Sequence, residues 1–324
     1  MKKNVKRRDF IKKAGLAGAA ATALSTFPAP AIASGHQEWI ICSAFGKAGL
    51  LGQAIQAFAD NVSSYSDKLN MKVYHAGELV PGLESLDAVR SGAAQASYGA
   101  PYYWTNLSDA IEFVATCPFG MNAMEQNAWC YYGGGIEEAD KIYNALGLKF
   151  LPMGNTGNQM GGWFNKEINT PADYKGLKMR MPGLGGRTIE KLGATPVLLA
   201  GPDVLPSLAS GAVDAAEWIC PAADLGAGLY QAAKFYYGPG WHEPSTLLDL
   251  SIDLNAWESL DGATQGLVTN MTQSFNMTVF SRFQAINGPA LQKLVGEHGV
   301  TIKTFPDEVL IALGNGAGEV VSER

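Results

Sequence analysis

Three charged side chains lie in apolar segments of the chain, where a charge needs a partner. Arg180 lies within the apolar residues 177–182, and Glu217 and Glu243 each lie within two residues of a tryptophan. A guanidinium presents a planar fork of donors that suits a carboxylate, whereas buried carboxylates require a counter-charge and can share one cation. These residues predict a site for a small anion and a cation. The alternative is that Arg180 pairs with a buried acid of the protein, such as Glu217.

Residues 154–164 mix amides and glycines ahead of an aromatic pair. This pattern predicts a backbone crossing between two halves of the molecule, with Asn158 and Gln159 exposed to a cleft; an ordinary loop is the alternative. Amide and carboxylate oxygens are hard ligands, so Gln159 and the two glutamates favour Na⁺ or Ca²⁺ over a transition metal. We expect His242, next to Glu243, to be an interfacial or capping histidine rather than a zinc ligand.

A glycine-rich segment, residues 183–186, precedes a predicted helix at residues 187–192. The N-terminus of such a helix adds a dipole that is favourable to an anion. The segment lacks the Gly-Lys-Ser/Thr of a phosphate-binding loop, which excludes that interpretation.

Composition limits the class of protein. The 324 residues are 47% apolar and 17% charged, which excludes a disordered or collagen-like chain and favours two lobes with a sizeable core. Residues 34–324 carry 17 basic and 29 acidic side chains; such a surface repels a phosphate backbone, so no nucleic-acid partner is expected. The cysteines lack metal-ligand spacing, and small buried residues are favoured over a single disulfide among them. They are Cys42, Cys117, Cys130 and Cys220.

The first 33 residues have the features of an export signal. Paired arginines at positions 7 and 8 precede a weakly apolar run at residues 14–27, which is too short to span a bilayer. Small residues at Ala31 and Ala33 suit cleavage after Ala33. Residues 1–33 thus resemble a twin-arginine signal, which predicts a periplasmic protein; a basic amphipathic helix is the alternative.

The chain after the signal alternates between strand-type and helix-type segments. The patterns predict strands at residues 38–44 and 71–74, and helices at residues 48–62 and 83–90, the second helix closed by Ser91 and Gly92. This order favours an α/β fold with mainly parallel sheets.

Residues 86–98 recur in outline at residues 205–217, as a helix, a Ser-Gly-Ala stop and a short strand. We interpret the two copies as one unit per lobe, with chance similarity of a common α/β unit as the alternative. Ligands then bind between the lobes, where the strand ends at residues 98–104 and 217–221 face each other. An exported, two-lobed protein with a cleft is most simply a solute-binding protein that closes by a hinge.

Seven segments carry a resemblance to a known family. In order and spacing they resemble the solute receptors of tripartite ATP-independent periplasmic (TRAP) transporters, in the DctP-type family and the branch that binds 2-oxo acids and lactate. The segments are residues 76–81, 100–104, 154–164, 179–183, 191–196, 214–218 and 239–244.

The resemblance implies residue roles. It implies that Arg180 holds the substrate carboxylate, and that four groups surround a cation that bridges to the substrate, Na⁺ or Ca²⁺. The four are the side chains of Gln159, Glu217 and Glu243 and the backbone of Trp218. Further residues expected at the substrate are Tyr102, Tyr103 and Asn158, beside Gln159 and Trp218.

The resemblance also implies an organisation and partners. We expect lobe I at residues 34–157, lobe II at residues 158–245, and residues 246–324 as a return segment that crosses back to lobe I and ends in C-terminal helices. Helices are expected on both faces of the sheets. The expected partners are a small carboxylate and the TRAP membrane subunits, and a homodimer is allowed. The loop at residues 45–51 departs from the family's usual form, which leaves substrate size open.

Two other functions are weighed against this one. The first is a periplasmic metal-dependent enzyme that uses Glu217 or Glu243 as a general base, although no nucleophile–base pair is visible in the sequence. The second is a sensory ligand-binding module that docks on a signalling receptor.

Overall fold

The computed structural model describes residues 36–324, so the predicted export signal at residues 1–33 lies outside the described residues. Eleven strands within that part of the chain form two sheets. The first sheet has five strands in the order β2-β1-β3-β10-β4. Its strands are β1 (Gln37–Ser43), β2 (Leu69–Tyr74), β3 (Ala96–Gly99), β4 (Leu148–Asn155) and β10 (Leu247–Asp253).

The second sheet has six strands in the order β11-β9-β5-β8-β6-β7. They are β5 (Gly162–Phe164), β6 (Lys178–Arg180), β7 (Thr195–Val197), β8 (Ala215–Ala216), β9 (Phe235–Gly238) and β11 (Thr301–Thr304).

The prediction of mainly parallel sheets is confirmed, and each sheet is mixed because one of its strands runs antiparallel to both neighbours. Strand β10 runs antiparallel to β3 and β4, and β5 runs antiparallel to β8 and β9. Both strands follow a crossing from the other sheet, at residues 156–161 before β5 and residues 239–246 before β10. A strand that enters a sheet at the edge where the parallel strands end runs against them. The α/β class and the two-lobed architecture are confirmed.

The strands of the second sheet separate two cores because successive side chains point to opposite faces. Trp163 and Tyr236 belong to one buried cluster, whereas their neighbours Phe164 and Tyr237 belong to another. Below, lobe I denotes the elements packed around the first sheet and lobe II those around the second.

Helices cover these cores. They are α1 (Leu50–Tyr65), α2 (Ser85–Arg90), α3 (Ile111–Ala115), α4 (Ala123–Tyr132), α5 (Gly135–Ala145), α6 (Gly183–Lys191), α7 (Gly201–Ala209), α8 (Pro221–Ala227), α9 (Leu254–Ser259), α10 (Gly262–Gly296) and α11 (Asp307–Ser322). Short 3₁₀ turns cover Gly82–Glu84, Pro101–Trp104, Pro171–Tyr174 and Leu229–Gln231.

Helix α10 connects the two lobes. At about 1.5 Å per residue, its 35 residues span about 50 Å. Val279 and Phe283 pack in the core of lobe I, and Leu294 packs in a core of lobe II. Residues 246–324 therefore give β10 to the first sheet and β11 to the second. The predicted lobe boundaries stay a prediction, since residues 38–324 form one compact unit.

The two repeated segments adopt the same local structure. In the first copy, α2 ends before Gly92 and leads into β3; in the second, α7 ends before Gly211 and leads into β8. Both glycines have a left-handed backbone, with φ of +78° and +74°, which side chains with a Cβ rarely adopt. The sequence pattern therefore predicted both helix ends.

Three of the four cysteines pack as small buried residues, and Cys117 is half-buried. All four are unpaired within the described part of the chain, and Cys42, Cys130 and Cys220 are buried. Burial raises the pKa of Cys130 and of Cys220 to about 12, so both thiols stay protonated.

Between residues 36 and 324, no helix has the length and apolar character of a membrane span.

Candidate functional site

Two crossing segments between the sheets form the floor of the candidate site. The segment at residues 156–161 carries Gln159, and the segment at residues 239–246 carries Glu243. Backbone hydrogen bonds hold the segments together, from Thr156 N to Thr246 O at 3.0 Å and from Gly240 N to Gln159 O at 3.0 Å. Gln159 and Glu243, which are 84 positions apart in the chain, are thereby fixed side by side.

Adjacent parallel strands supply the charged wall of the site. Arg180 is the last residue of β6 and pairs in register with Ala216 of β8, so Glu217 follows directly at the same edge. The Glu217 backbone nitrogen donates to the Arg180 carbonyl at 3.1 Å. The Arg180 side chain is 1% exposed; its Nη1 donates to the Glu217 carboxylate and, at 2.9 Å, to the Glu217 carbonyl.

The Arg180–Glu217 pair is the alternative that the sequence left open, and it leaves much of the guanidinium weakly engaged. Nε and Nη2 both face the Leu199 carbonyl at 3.4 Å, beyond the usual range of a strong hydrogen bond. The Trp218 ring lies 5.1 Å from the guanidinium carbon. Arg180 thus has donors directed away from Glu217.

Lobe I closes the site with an aromatic turn. The 3₁₀ turn after β3 places Tyr102 and Tyr103 in the interior, and the Tyr102 hydroxyl donates to Glu243 Oε2 at 3.3 Å. Burial raises the pKa of Tyr103 to about 12, so its hydroxyl remains a donor. Phe45 packs against both Tyr103 and Trp218, at centroid distances of 6.3 and 6.4 Å.

The carboxylate of Glu243 lies among donors. Gln159 Nε2 donates to Glu243 Oε2 at 2.8 Å, and the Thr246 hydroxyl donates to the same oxygen. Burial, followed by repulsion from Glu217, raises the pKa of Glu243 to about 7. Near neutral pH this carboxyl group is therefore partly protonated.

His242 is part of the same buried cluster. Its Nε2 lies 3.0 Å from Glu217 Oε2 and acts as the donor, because an ionised carboxylate only accepts. Burial lowers the His242 pKa, but the hydrogen bond and charge of Glu217 outweigh burial and raise the pKa above its usual value. An interfacial or capping histidine was predicted, but its hydrogen bond to Glu217 was not. The Trp-His-Glu-Pro sequence around His242 was the feature that could have indicated a polar contact in an apolar setting.

The site contains oxygen atoms suited to a hard cation. One potential ligand atom from each of Glu217, His242 and Glu243 lies within 4.8 Å of the others. Gln159 Oε1 is buried, and no hydrogen-bond donor reaches it from anywhere in residues 36–324. A buried polar atom without a partner calls for an explanation such as an ion. His242 Nε2 is occupied by Glu217, and His242 Nδ1 has no hydrogen-bond partner among residues 36–324. The oxygen atoms of Gln159, Glu217 and Glu243 fit Na⁺ or Ca²⁺.

The predicted site residues differ in their placement. Tyr102, Tyr103, Gln159, Arg180, Glu217 and Glu243 are all buried, and Trp218 is half-buried. Asn158 is exposed to solvent, and its predicted place at the cleft stays a prediction. Gln159, which was also expected to be exposed to the cleft, is only 5% exposed. The sequence analysis missed Thr156 and Thr246, whose hydroxyls accept from Gln159 Nε2 at 3.0 and 2.9 Å.

A cavity of about 400 Å³ lies beside the buried cluster, between the lobes. Phe45 and Trp218 line the cavity, and the Trp218 ring also lies against the Arg180 guanidinium. Glycines and alanines of the loop before α1 and of α8 form much of the remaining wall. Arg180 and Glu217 are each 1% exposed, so both are closed off from solvent in this conformation.

Comparison with known proteins places this geometry in a family. Residues 45–323 match the DctP family, bacterial extracellular solute-binding protein family 7. The chain is 38% identical over 315 residues to a Nostoc protein named monocarboxylate 2-oxoacid-binding periplasmic protein, which covers 95% of this chain and 86% of the relative.

Two solved structures are also similar. A TRAP periplasmic solute-binding protein from Pseudoalteromonas atlantica T6c, with bound sodium and pyruvate, has 37% identity and a TM-score of 0.86 over 89% of this chain and 88% of that one. A second, from Colwellia psychrerythraea with bound calcium and pyruvate, has 36% identity and a TM-score of 0.85 over the same shares. Both the family and these relatives are solute-binding receptors and not enzymes. The chain belongs to the DctP family of TRAP solute-binding proteins, family 7 of the bacterial extracellular solute-binding proteins.

Proposed function

We propose that this protein is a TRAP solute receptor that binds a small 2-oxo or 2-hydroxy carboxylate, using Arg180 and a bridging Na⁺ or Ca²⁺, and delivers it to membrane subunits. The observation that carries the proposal is Gln159 Oε1, a buried oxygen that no donor of residues 36–324 reaches. Gln159 contacts Glu243, which clusters with Glu217, and Glu217 pairs with the buried guanidinium of Arg180. Relatives above 35% identity that bind pyruvate with sodium or calcium support the ligand and the ion.

Each residue has a distinct task in this proposal. Arg180 binds the ligand carboxylate through the donors that reach Leu199 only at 3.4 Å. The cation would be held by the Gln159 amide oxygen, the Glu217 and Glu243 carboxylates and the Trp218 carbonyl. When bound, it supplies positive charge to the ligand's carboxylate and 2-oxygen. Tyr102 and Tyr103 cover the ligand from lobe I and exclude water.

Selectivity follows from burial. The cluster is closed to solvent, so a polar group without its partner costs more than it does in water. An acid without the 2-oxygen would leave the cation short of one oxygen ligand. Buried polar sites reject analogues that lack a group which the site is built to bind. We therefore expect 2-oxo and 2-hydroxy acids to bind, and simple fatty acids, amino acids and sugars to fail.

Calorimetric titration with pyruvate, in buffers that contain Na⁺, Ca²⁺ or only a large organic cation with a chelator, tests this function. We expect tight binding in one or both metal buffers and weak binding in the third. Equal affinity in all three buffers, or a sugar as the best ligand in a thermal-shift screen, contradicts the proposal.

Gln159→Leu provides the residue-level test. It removes the amide oxygen while retaining similar volume, and we expect a loss of cation-dependent binding. The matched control is Gln56→Leu in α1, a half-buried glutamine whose amide donates to Asp60 at 2.9 Å. Loss of binding in both variants would indicate a general defect and not a cation ligand.

Export through the twin-arginine route is part of the same proposal. The family is extracellular by its description, and the paired arginines at positions 7 and 8 are in place. Replacing both with lysine should retain the precursor in the cytoplasm, as judged by fractionation. Unchanged export of that variant contradicts this route.

A further inference from the structure

A further buried carboxylate, that of Asp224, lies next to the site and contacts the chain just after Glu217. Asp224, in α8, is fully buried, and both of its oxygens accept hydrogen bonds. Oδ1 accepts from the Ile219 backbone nitrogen at 3.0 Å. Oδ2 accepts from Trp163 Nε1 at 2.8 Å and from the Tyr236 hydroxyl at 2.7 Å.

The two side-chain donors form a rigid platform. Trp163 and Tyr236 are cross-strand partners of β5 and β9, and their rings stack at a centroid distance of 4.1 Å and an angle of 18°. Both side chains are fully buried. Asp224 is therefore held by the second sheet itself.

The peptide that Asp224 holds carries a proposed cation ligand. The Ile219 N–H and the Trp218 carbonyl belong to the same peptide unit, which is planar and trans. In a trans peptide the N–H and C=O bonds point in opposite directions, so a hydrogen bond at one end sets the direction of the other. The next peptide is also fixed, because Met160 N donates to the Ile219 carbonyl at 3.0 Å.

We propose that Asp224 is a positioning residue that directs the Trp218 carbonyl oxygen toward the cation and increases the negative charge on that oxygen. This inference rests on the proposed function, because it concerns the same cation site. A carboxylate at the N–H end polarises the peptide, and partners of this kind fix the orientation of a ligand and raise its basicity. Asp224 acts only through the Trp218–Ile219 peptide and touches no ligand.

The central test compares Asp224→Asn with wild type in sodium and calcium titrations at saturating pyruvate. The substitution keeps the shape but removes the charge, and places an NH₂ group opposite the donors of Trp163 or Ile219. We expect the cation concentration for half-saturation to rise by about 10- to 100-fold, the usual effect of losing such a partner. Pyruvate affinity should recover at high cation concentration, which a merely structural defect would not produce.

Two control variants separate positioning from stability. Tyr236→Phe removes one donor to Asp224 Oδ2 but keeps both the charge and the Ile219 hydrogen bond. Asp249→Asn removes another fully buried aspartate, which pairs with Ser251 in lobe I. We expect both to lower the melting temperature without shifting the cation titration. A shift in these controls equal to that of Asp224→Asn overturns the proposal.

Nuclear magnetic resonance of the wild type gives a test that requires no folded variant. The Ile219 ¹⁵N resonance should move when a cation is added to the pyruvate-saturated protein, because the carbonyl of the same peptide unit, that of Trp218, binds the cation in this proposal. If wild type binds pyruvate with a cation but this resonance is unchanged, or Asp224→Asn titrates like wild type, Asp224 has no positioning role and the receptor function stands. If wild type shows no cation dependence at all, the proposed function fails first.

Discussion

Replacing Arg180 with methionine separates the two roles that this side chain can have. Arg180 is 1% exposed and donates to Glu217, so its loss leaves a buried carboxylate with His242 as the remaining charged partner. Breaking a buried pair by removing one member costs about 3–5 kcal/mol in the free energy of unfolding. Because His242 still donates to Glu217, we expect the lower end, about 3 kcal/mol.

Binding should fall independently of stability. A ligand carboxylate left without Arg180 in a closed site loses about 2–5 kcal/mol, which corresponds to about a 30- to 4000-fold rise in Kd. The assay is calorimetry with pyruvate in saturating Na⁺, at a temperature where denaturant titration shows the variant to be folded.

The double variant Arg180→Met/Glu217→Gln distinguishes the roles. Replacing both charges with neutral side chains of similar size is often close to neutral for stability, so the free energy of unfolding should return toward the wild-type value. Pyruvate binding should stay weak, since neither variant supplies the guanidinium. If the double variant, or Arg180→Met alone, binds pyruvate as tightly as wild type, Arg180 serves only to neutralise Glu217 and the reasoning is refuted.

Three further predictions concern protons and lobe contacts. Burial raises the Glu243 pKa to about 7, so a proton competes with the cation and cation affinity should fall as pH drops through that value; calorimetry across that range checks this. Glu243→Gln should weaken cation binding and flatten its pH dependence, and an unchanged profile would assign the titration to another group. Arg187 of α6, 33% exposed, pairs at 3.2 Å with the fully buried Glu112 carboxylate of α3, across the lobes. Arg187→Met should therefore lower the free energy of unfolding by about 3 kcal/mol, since it leaves the Glu112 carboxylate buried without its partner. Glu112→Gln should lower it by less than about 1 kcal/mol, because the Arg187 guanidinium that remains is partly solvated. Equal losses in denaturant titrations of the two variants contradict this.

Local patterns predicted the elements that local forces determine. The predicted strand at residues 38–44 and helix at residues 48–62 are observed as β1 at Gln37–Ser43 and α1 at Leu50–Tyr65. Hydrophobic spacing and a glycine stop act within a few residues, so they are visible without the fold. The helix predicted at residues 187–192 begins earlier, at Gly183, whose left-handed backbone, with φ of +55°, is one that glycine adopts readily.

The directions of the strands and the packing of distant segments were harder to predict from the sequence. The antiparallel strands β5 and β10 and the helix α10, which packs in both lobes, depend on how the chain crosses twice between the sheets. No local periodicity encodes the direction in which a strand enters a sheet. Strand β11, which pairs with β9, likewise depends on the return of the C-terminal segment to lobe II.

The sequence by itself determined which chemical groups are available: one arginine and two glutamates in apolar segments, with a glutamine in a glycine-rich crossing. Only the tertiary structure decided which of them meet. Arg180 reaches Glu217 across 37 positions, Gln159 reaches Glu243 across 84, and Tyr102 reaches Glu243 across 141. It also decided that no donor in the described part of the chain reaches Gln159 Oε1 and that Asp224 holds the peptide after Trp218. The physical reason is that these contacts arise from packing two sheets and two crossing segments together, and the energy of such packing depends on residues that are distant in the chain.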